Sequence, residues 1–320
     1  MLYSFVKIIA RLALPVYCRD IAINKKAYLA HKGPLLLATN HPNSFLDAII
    51  LCTLFGKPVY SLARGDAFKN GFAARLLYLF KMFPVYRVSE GVENLEENYK
   101  TFDQCKSIFR QNGIILIFSE GRCINEWHLR PLKKGTARLA ISSWLDGIEL
   151  EVLPVALNYS SFKKFGKNMK IFFGDMITKE QIDYKNTDGI AIRQFNENLR
   201  AQLEQYVFEI KENDHAKRKE QFYIHQSLLK KIILFIPAVT GLIIHFPLYY
   251  FVKGLSESLI KEPGHYDSKI VAFLFILYPL YILLISFTVS IITGNWFYLL
   301  LLPALPFTAW AYVQIKRQLD

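Results

Sequence analysis

Cysteine is scarce in this chain, and negative charge is in short supply. Its four cysteines (Cys18, Cys52, Cys105 and Cys123) show no C-x-x-C spacing. This argues against a disulfide framework and for free thiols in a reducing compartment. Asp and Glu number 27 against 39 Lys and Arg, a net charge of +12 with pI about 9.4. That excess suits an anionic partner, nucleic acid or a membrane surface. No glycine-rich dinucleotide loop is present. His31, His128, His215, His225, His245 and His265 lack metal-ligand spacing, so no metal is expected. The nucleophile elbow Gly-x-Ser-x-Gly is missing, which removes Ser119 as a hydrolase nucleophile. The positive charge is dispersed and no aromatic platform motif accompanies it, which disfavours nucleic acid. No internal repeat and no signal-peptide cleavage site is evident.

What the chain has in abundance is apolar sequence: 52% hydrophobic residues and 15% aromatics. Three long apolar segments, Ile232 to Val252, Ile270 to Ile292 and Trp296 to Tyr312, are each about long enough to cross a ~30 Å hydrocarbon layer. Trp296, Tyr298, Trp310 and Tyr312 sit near segment ends as interfacial anchors do. Lysines flank the segments on several sides, so the positive-inside rule fixes no topology. Pro237 and Pro247 leave open a re-entrant hairpin in the first segment. At the other end, Met1 to Tyr17 reads either as an interfacial helix with Lys7, Arg11 and Arg19 toward headgroups, or as an ordinary helix packed on the domain.

Between these ends, short apolar runs alternate with helical patterns. Expected strands are Pro34 to Ala38, Pro58 to Ala63, Met82 to Arg87, Ile114 to Phe118, Glu151 to Leu157 and Met169 to Phe173. Expected helices are Ser44 to Phe55, Gly71 to Phe80, Val92 to Arg110 and Thr136 to Leu145. The alternation predicts an α/β layer fold. From Thr187 to Ser227 the chain is polar, mixed in charge and free of proline and of glycine beyond Gly189, so a helical extension is expected. The organisation read from composition is an N-terminal helix over 1–29, an α/β domain with its extension over 30–227, and a membrane domain over 228–320.

The chemistry-bearing run is Thr39-Asn40-His41-Pro42-Asn43-Ser44-Phe45-Leu46-Asp47, just after an apolar strand. A histidine can take a proton from a hydroxyl near neutral pH, and a carboxylate can fix its tautomer. On one continuous helix, residues six apart lie about 240° apart around the axis. The two side chains therefore meet only if His41 lies in the strand-to-helix loop. Ser44 to Asp47 also reads as a capping box, in which Asp47 only stabilises the helix. Three further blocks follow: Phe83-Pro84-Val85-Tyr86-Arg87, Ile117-Phe118-Ser119-Glu120-Gly121-Arg122 with Lys133-Lys134-Gly135, and Val152-Leu153-Pro154-Val155. An arginine at a strand end can hold a phosphate bidentately. A helix start with lysines nearby suits an anion. Each block alone is also ordinary: a surface arginine, a solvated lysine pair, a core strand.

In this order, over about residues 30 to 180, the blocks resemble the phospholipid and glycerol acyltransferase family. Its usual pattern is Asn-His-x-x-x-x-Asp, Gly-x-x-x-x-x-Arg, Glu-Gly-Thr-Arg and an apolar Val-Pro. Three departures mark this chain. Five residues, not four, separate His41 from Asp47; Lys81 stands in the glycine's place before Arg87; and Glu120-Gly121-Arg122 lacks the threonine. The longer spacing is similar to that of some branches of the superfamily, provided the turn at Pro42-Asn43 absorbs the extra residue.

The resemblance implies a glycerol-3-phosphate acyltransferase-like α/β domain followed by transmembrane helices. It implies transfer of an acyl group from a thioester, acyl-CoA or an acyl carrier protein, to glycerol 3-phosphate or a lysophospholipid, with no further cofactor. His41 would be the general base and Asp47 its orienting carboxylate. Arg87, Glu120, Gly121 and Arg122 would form the acceptor's phosphate site, with Glu120 holding an arginine or a loop, since a carboxylate does not bind phosphate. The expected partners are membrane lipid, acceptor and donor, without nucleic acid. The expected location is a multi-pass membrane protein with its catalytic domain on the cytoplasmic side. Alternatives are another lipid hydroxyl as acceptor, a hydrolase, and a non-catalytic lipid-binding protein on the same fold.

Overall fold

The all-apolar run Leu35-Leu36-Leu37-Ala38 has no polar alternation, which is the pattern of a strand buried on both faces of a parallel sheet. The computed structural model describes residues 2–86, 96–185, 188–259 and 265–319, and in it this run is fully buried. Helix α1 (Leu2–Tyr17) leads into β1 (Cys18–Ile23) and then β2 (Leu35–Thr39). After them come α2 (Ser44–Leu54), β3 (Val59–Arg64), α3 (Gly71–Leu79), β4 (Met82–Val85), α4 (Glu97–Arg110) and β5 (Ile114–Phe118). The chain continues through α5 (Lys134–Leu145), β6 (Glu151–Tyr159), β7 (Lys167–Phe173) and α6 (Asp188–Glu204). The strands form one seven-stranded sheet in the order β1-β7-β6-β2-β5-β3-β4. β2 pairs in parallel with β5 and β6, and β3 in parallel with β4 and β5. This is the α/β layer class that the alternation predicts.

Register positions the site. Thr39, the last residue of β2, lies opposite Phe118 of β5 and Val155 of β6. The loops that follow β2 and β5 therefore leave the sheet side by side, at the carboxyl edge where open α/β sheets hold ligands. Beneath it, Leu36, Ile115, Ile117, Phe109, Ala140, Trp144, Phe195 and Leu199 share one core.

The chain forms two compact units, neither contiguous in sequence. The first comprises residues 1–12, 22–158 and 170–212; the second comprises 13–21, 159–169 and 213–320. The second holds α7 (His215–Phe222), α8 (Leu228–Leu259), α9 (Tyr266–Thr293) and α10 (Leu301–Ile315), the last after a 3-10 turn at Trp296–Leu300. Leu228–Ser258, Tyr266–Thr293 and Trp296–Ile315 are long and apolar enough to cross a membrane. Tyr17, Lys167 and Asp267 meet inside this unit: the buried Lys167 ammonium pairs with Asp267 and donates to the Tyr17 hydroxyl at 2.9 Å. That cluster explains why segments 13–21 and 159–169 belong with the apolar helices.

Several expectations are corrected. The first apolar segment is no re-entrant hairpin; α8 runs unbroken through Pro237 and Pro247. Neighbouring helices make polar contacts with α8. The Tyr281 hydroxyl donates to the Ile244 carbonyl at 2.7 Å, and His245 Nε2 lies 3.0 Å from the Leu305 carbonyl. A Cβ on Gly241 would stand 2.2 Å from the Thr308 carbonyl, so α8 and α10 pack at backbone distance. The polar extension is not one helix either, because α6 ends at Glu204 and α7 begins at His215. Between them Val207 and Ile210 are buried, and Ile210 donates to the Trp127 carbonyl at 3.0 Å. Core burial there overrides helical propensity.

The basic residues of the N-terminal segment turn inward, not toward headgroups. Lys7 Nζ donates to the carbonyls of Phe55 (2.6 Å), Lys57 (3.3 Å) and Gly56 (3.5 Å), and an Arg11 Nη donates to Thr53 O at 2.7 Å. They cap the C-terminal end of α2, where the helix dipole favours cations. Arg19, in the second unit, is buried and donates to the carbonyls of Val313 (3.0 Å) and Lys316 (2.8 Å). The outward face of α1 is instead apolar, with Leu2, Phe5, Ile8 and Leu12 exposed. Of the expected strand Met82 to Arg87, β4 is described to Val85; Arg87 lies outside the described residues, as does 92–95 of the expected helix Val92 to Arg110.

Candidate active site

His41 stands in the loop between β2 and α2, where backbone and side-chain contacts fix it on every side. The Asn40 side chain acts as an extra strand residue: its Oδ1 accepts from Leu157 N at 2.8 Å and its Nδ2 donates to Leu157 O at 3.1 Å. The His41 backbone N–H donates to Glu120 Oε2 at 2.8 Å. The imidazole stacks on Phe118, with ring centroids 3.6 Å apart and planes 14° from parallel.

His41 Nδ1 lies 2.9 Å from Asp47 Oδ2, which also accepts the Asn43 N–H at 2.8 Å. Asp47 is fully buried, whereas the His41 side chain keeps 15% exposure. Nε2 has no hydrogen-bond partner among the described residues. The extra residue in the spacing is absorbed at the very start of the helix. Ser44 is the first residue of α2, with φ +52°, and Asn43 stands at the cap position. Ser44 is therefore not the cap that a Ser-to-Asp capping box would require. A left-handed residue there reverses the chain enough to bring the carboxylate, on the first turn, back under the loop. The loop is also tied from outside: Asn125 Nδ2 donates to Pro42 O at 2.6 Å and Ser44 N donates to Cys123 Sγ at 2.8 Å.

Glu120 is buried, and both its oxygens accept backbone N–H groups, from His41 and from Arg130 (2.9 Å). Burial raises its pKa, which the two N–H donors partly offset. Its geometry is that of a brace between two loops. Gly121 takes φ +67° and turns the chain out of β5, leaving Arg122 exposed. α5 begins at Lys134, two residues earlier than expected, with Lys133 and Lys134 exposed. The backbone that leads to Arg87 is held by Asn98, whose side chain bonds Tyr86 N (2.8 Å) and O (2.9 Å). Lys81, in the glycine's place, has the left-handed backbone that favours glycine, φ +60°, and its ammonium donates to the Tyr60 hydroxyl at 3.0 Å. Phe118, Cys123, Asn125 and Arg130 carry no signal in the sequence that would have singled them out. Phe118 reaches the imidazole, Cys123 and Asn125 reach the loop that follows it, and Arg130 reaches Glu120, because β5 and its following loop run beside β2.

A carboxylate-supported imidazole with one free nitrogen, at the carboxyl edge of the parallel strands β2 and β5, defines a site for general-base chemistry. Residues 20–158 match the sequence profile of the Acyltransferase family. The match covers the domain that carries His41 and Asp47, so this domain is similar to the acyltransferase family, and the likeness supports acyl transfer as its chemistry. Among solved structures it is similar to the 1-acyl-sn-glycerophosphate (LPA) acyltransferase PlsC from Thermotoga maritima, at 12% identity over 66% of this chain and 81% of that one, with a TM-score of 0.46. No curated protein sequence matches the chain.

Proposed function

We propose that this protein is a membrane-bound O-acyltransferase of phospholipid biosynthesis. It moves a fatty acyl group from acyl-CoA or an acyl carrier protein to the hydroxyl of glycerol 3-phosphate or a lysophospholipid. The observation that carries the reading is the 2.9 Å contact between His41 and buried Asp47, inside the acyltransferase-family domain. In this mechanism Asp47 keeps the proton on Nδ1 and stabilises the imidazolium. Nε2 takes the acceptor's hydroxyl proton as its oxygen attacks the thioester carbonyl. Collapse of the tetrahedral intermediate breaks the C–S bond, and the departing thiolate recovers the proton from His41. Glu120 holds the His41 backbone, and Gly121 turns Arg122 outward, to meet the acceptor's phosphate together with Arg87 by charge-assisted contacts. The three apolar helices keep the domain at the bilayer, on the cytoplasmic side, where α1 lies at the interface.

The test is labelled acyl transfer to a panel of acceptors, following release of free thiol. His41→Ala is expected to lower kcat by about 10²–10⁴-fold, the usual worth of a general base. Full activity in the variant would remove His41 from the base role. Thiol release that proceeds without any acceptor would indicate hydrolysis instead.

A further inference from the structure

Helix α3 has no buried residue. Phe72 is 79% exposed, Leu79 56% and Leu76 40%. At 100° per residue these three share one stripe, so the helix presents an apolar ridge that no described residue of its own unit covers. Its start is firmly made: Asn70 Oδ1 accepts from Phe72 N at 2.9 Å and Ala73 N at 3.2 Å. The exposed ridge is thus a built element, not a frayed end. Exposed Lys69 and Arg75 stand beside it. At its far end Lys81 lies 5.6 Å from the Tyr3 ring, so α3 ends beside the start of α1, whose outward face is also apolar.

We propose that α3 enters the lipid bilayer, with Phe72, Leu76 and Leu79 among the acyl chains and Lys69 and Arg75 at the phosphates of anionic headgroups. Three observations select lipid over a protein partner. The same chain carries three helices fit to span a membrane, so a bilayer is the apolar phase at hand. The ridge is flanked by cations, as interfacial helices are. Its arginine is placed to bury an aliphatic stem while its guanidinium stays at the headgroups. The inference goes beyond acyl transfer and does not depend on the His41 assignment.

The full chain, reconstituted in vesicles of phosphatidylcholine and phosphatidylglycerol, would carry benzoylphenylalanine at position 72, 76 or 79. A control would carry it at Lys100, an exposed position on α4. Irradiation should give lipid adducts at the three ridge positions and none at 100. Lys69→Glu with Arg75→Glu should lower the adduct yield in anionic vesicles and leave it unchanged in pure phosphatidylcholine. Adducts only within the chain or to a second copy, no adducts, or equal labelling at 100 would each overturn the proposal. Because the readout needs no turnover, failure here leaves the acyl-transfer reading untouched, and an inactive His41 variant still reports on α3.

Discussion

Asp47 shows how one side chain can serve two readings. The sequence leaves it as either a helix-stabilising acid or a partner of His41. In the fold a single oxygen accepts from the Asn43 N–H and contacts His41 Nδ1. The alternatives are one geometry, because the helix start and the histidine loop are the same turn. Lys81 is the residue-scale counterpart. The glycine that the family pattern places there is absent, yet the left-handed backbone persists at φ +60°. That conformation costs a non-glycine residue about 1–2 kcal/mol, and glycine's extra freedom when unfolded takes back about 0.5–1 kcal/mol. Lys81→Gly and Lys81→Ala remove the same contact with Tyr60, so their difference isolates the backbone. The glycine variant is expected to be the more stable of the two by up to about 1 kcal/mol in denaturant unfolding. The reverse order would show that the backbone relaxes.

Among the elements, α1 and α2 are joined by a cap that no periodicity reveals. Lys7 and Arg11 are one turn apart and share a face, which the sequence offers equally to headgroups or to protein. The fold spends that face on four backbone carbonyls at the end of α2. Burial pushes the Lys7 ammonium down, with Arg11 adding to it. A cation at a helix C-terminus contributes about 0.3–1 kcal/mol, and up to ~2 kcal/mol when partly buried. Lys7→Met with Arg11→Met is expected to lower the denaturant stability of the unit by about 1–2 kcal/mol. An unchanged midpoint would return these side chains to a solvent role. The helix extension argues in the same direction. A run without helix breakers beyond Gly189 still breaks after Glu204, because Val207 and Ile210 gain more from burial than from helical hydrogen bonds.

At the scale of the whole molecule, the second unit contains a cationic region whose charge is partly desolvated. Burial, reinforced by Arg19, Lys164 and Lys167, pushes the Lys316 ammonium down to about 8. In the unfolded chain it titrates near the ordinary lysine value, ~10.4. Between these values the unfolded chain binds more protons, so stability rises with pH across that window and is lost as pH falls through about 8. Lys316→Met removes the difference. Thermal unfolding of wild type and variant from pH 7 to 10 is expected to show the variant relatively more stable at the low end, with the gap closing toward pH 10. Parallel curves would show that Lys316 titrates alike in both states.

The sequence by itself determined the class of this protein. Alternation of apolar runs set the α/β sheet, unbroken hydropathy set the long helices, and the order of motif blocks set the resemblance to the acyltransferase family. These are local properties, carried by side-chain period and spacing, and they survive without knowledge of contacts. Only the tertiary structure decided how the motifs meet. Glu120 reaches the His41 backbone because β2 and β5 are adjacent and end in register. Asp47 reaches the imidazole because Ser44 adopts φ +52°. Lys7 and Arg11 face α2 because its carbonyls lack other donors within the helix. The segments 13–21 and 159–169 join the apolar helices because Tyr17 and Lys167 surround Asp267. Each of these is a long-range pairing. Its energy comes from satisfying buried polar groups, and no local pattern in the chain encodes which distant group will be the partner.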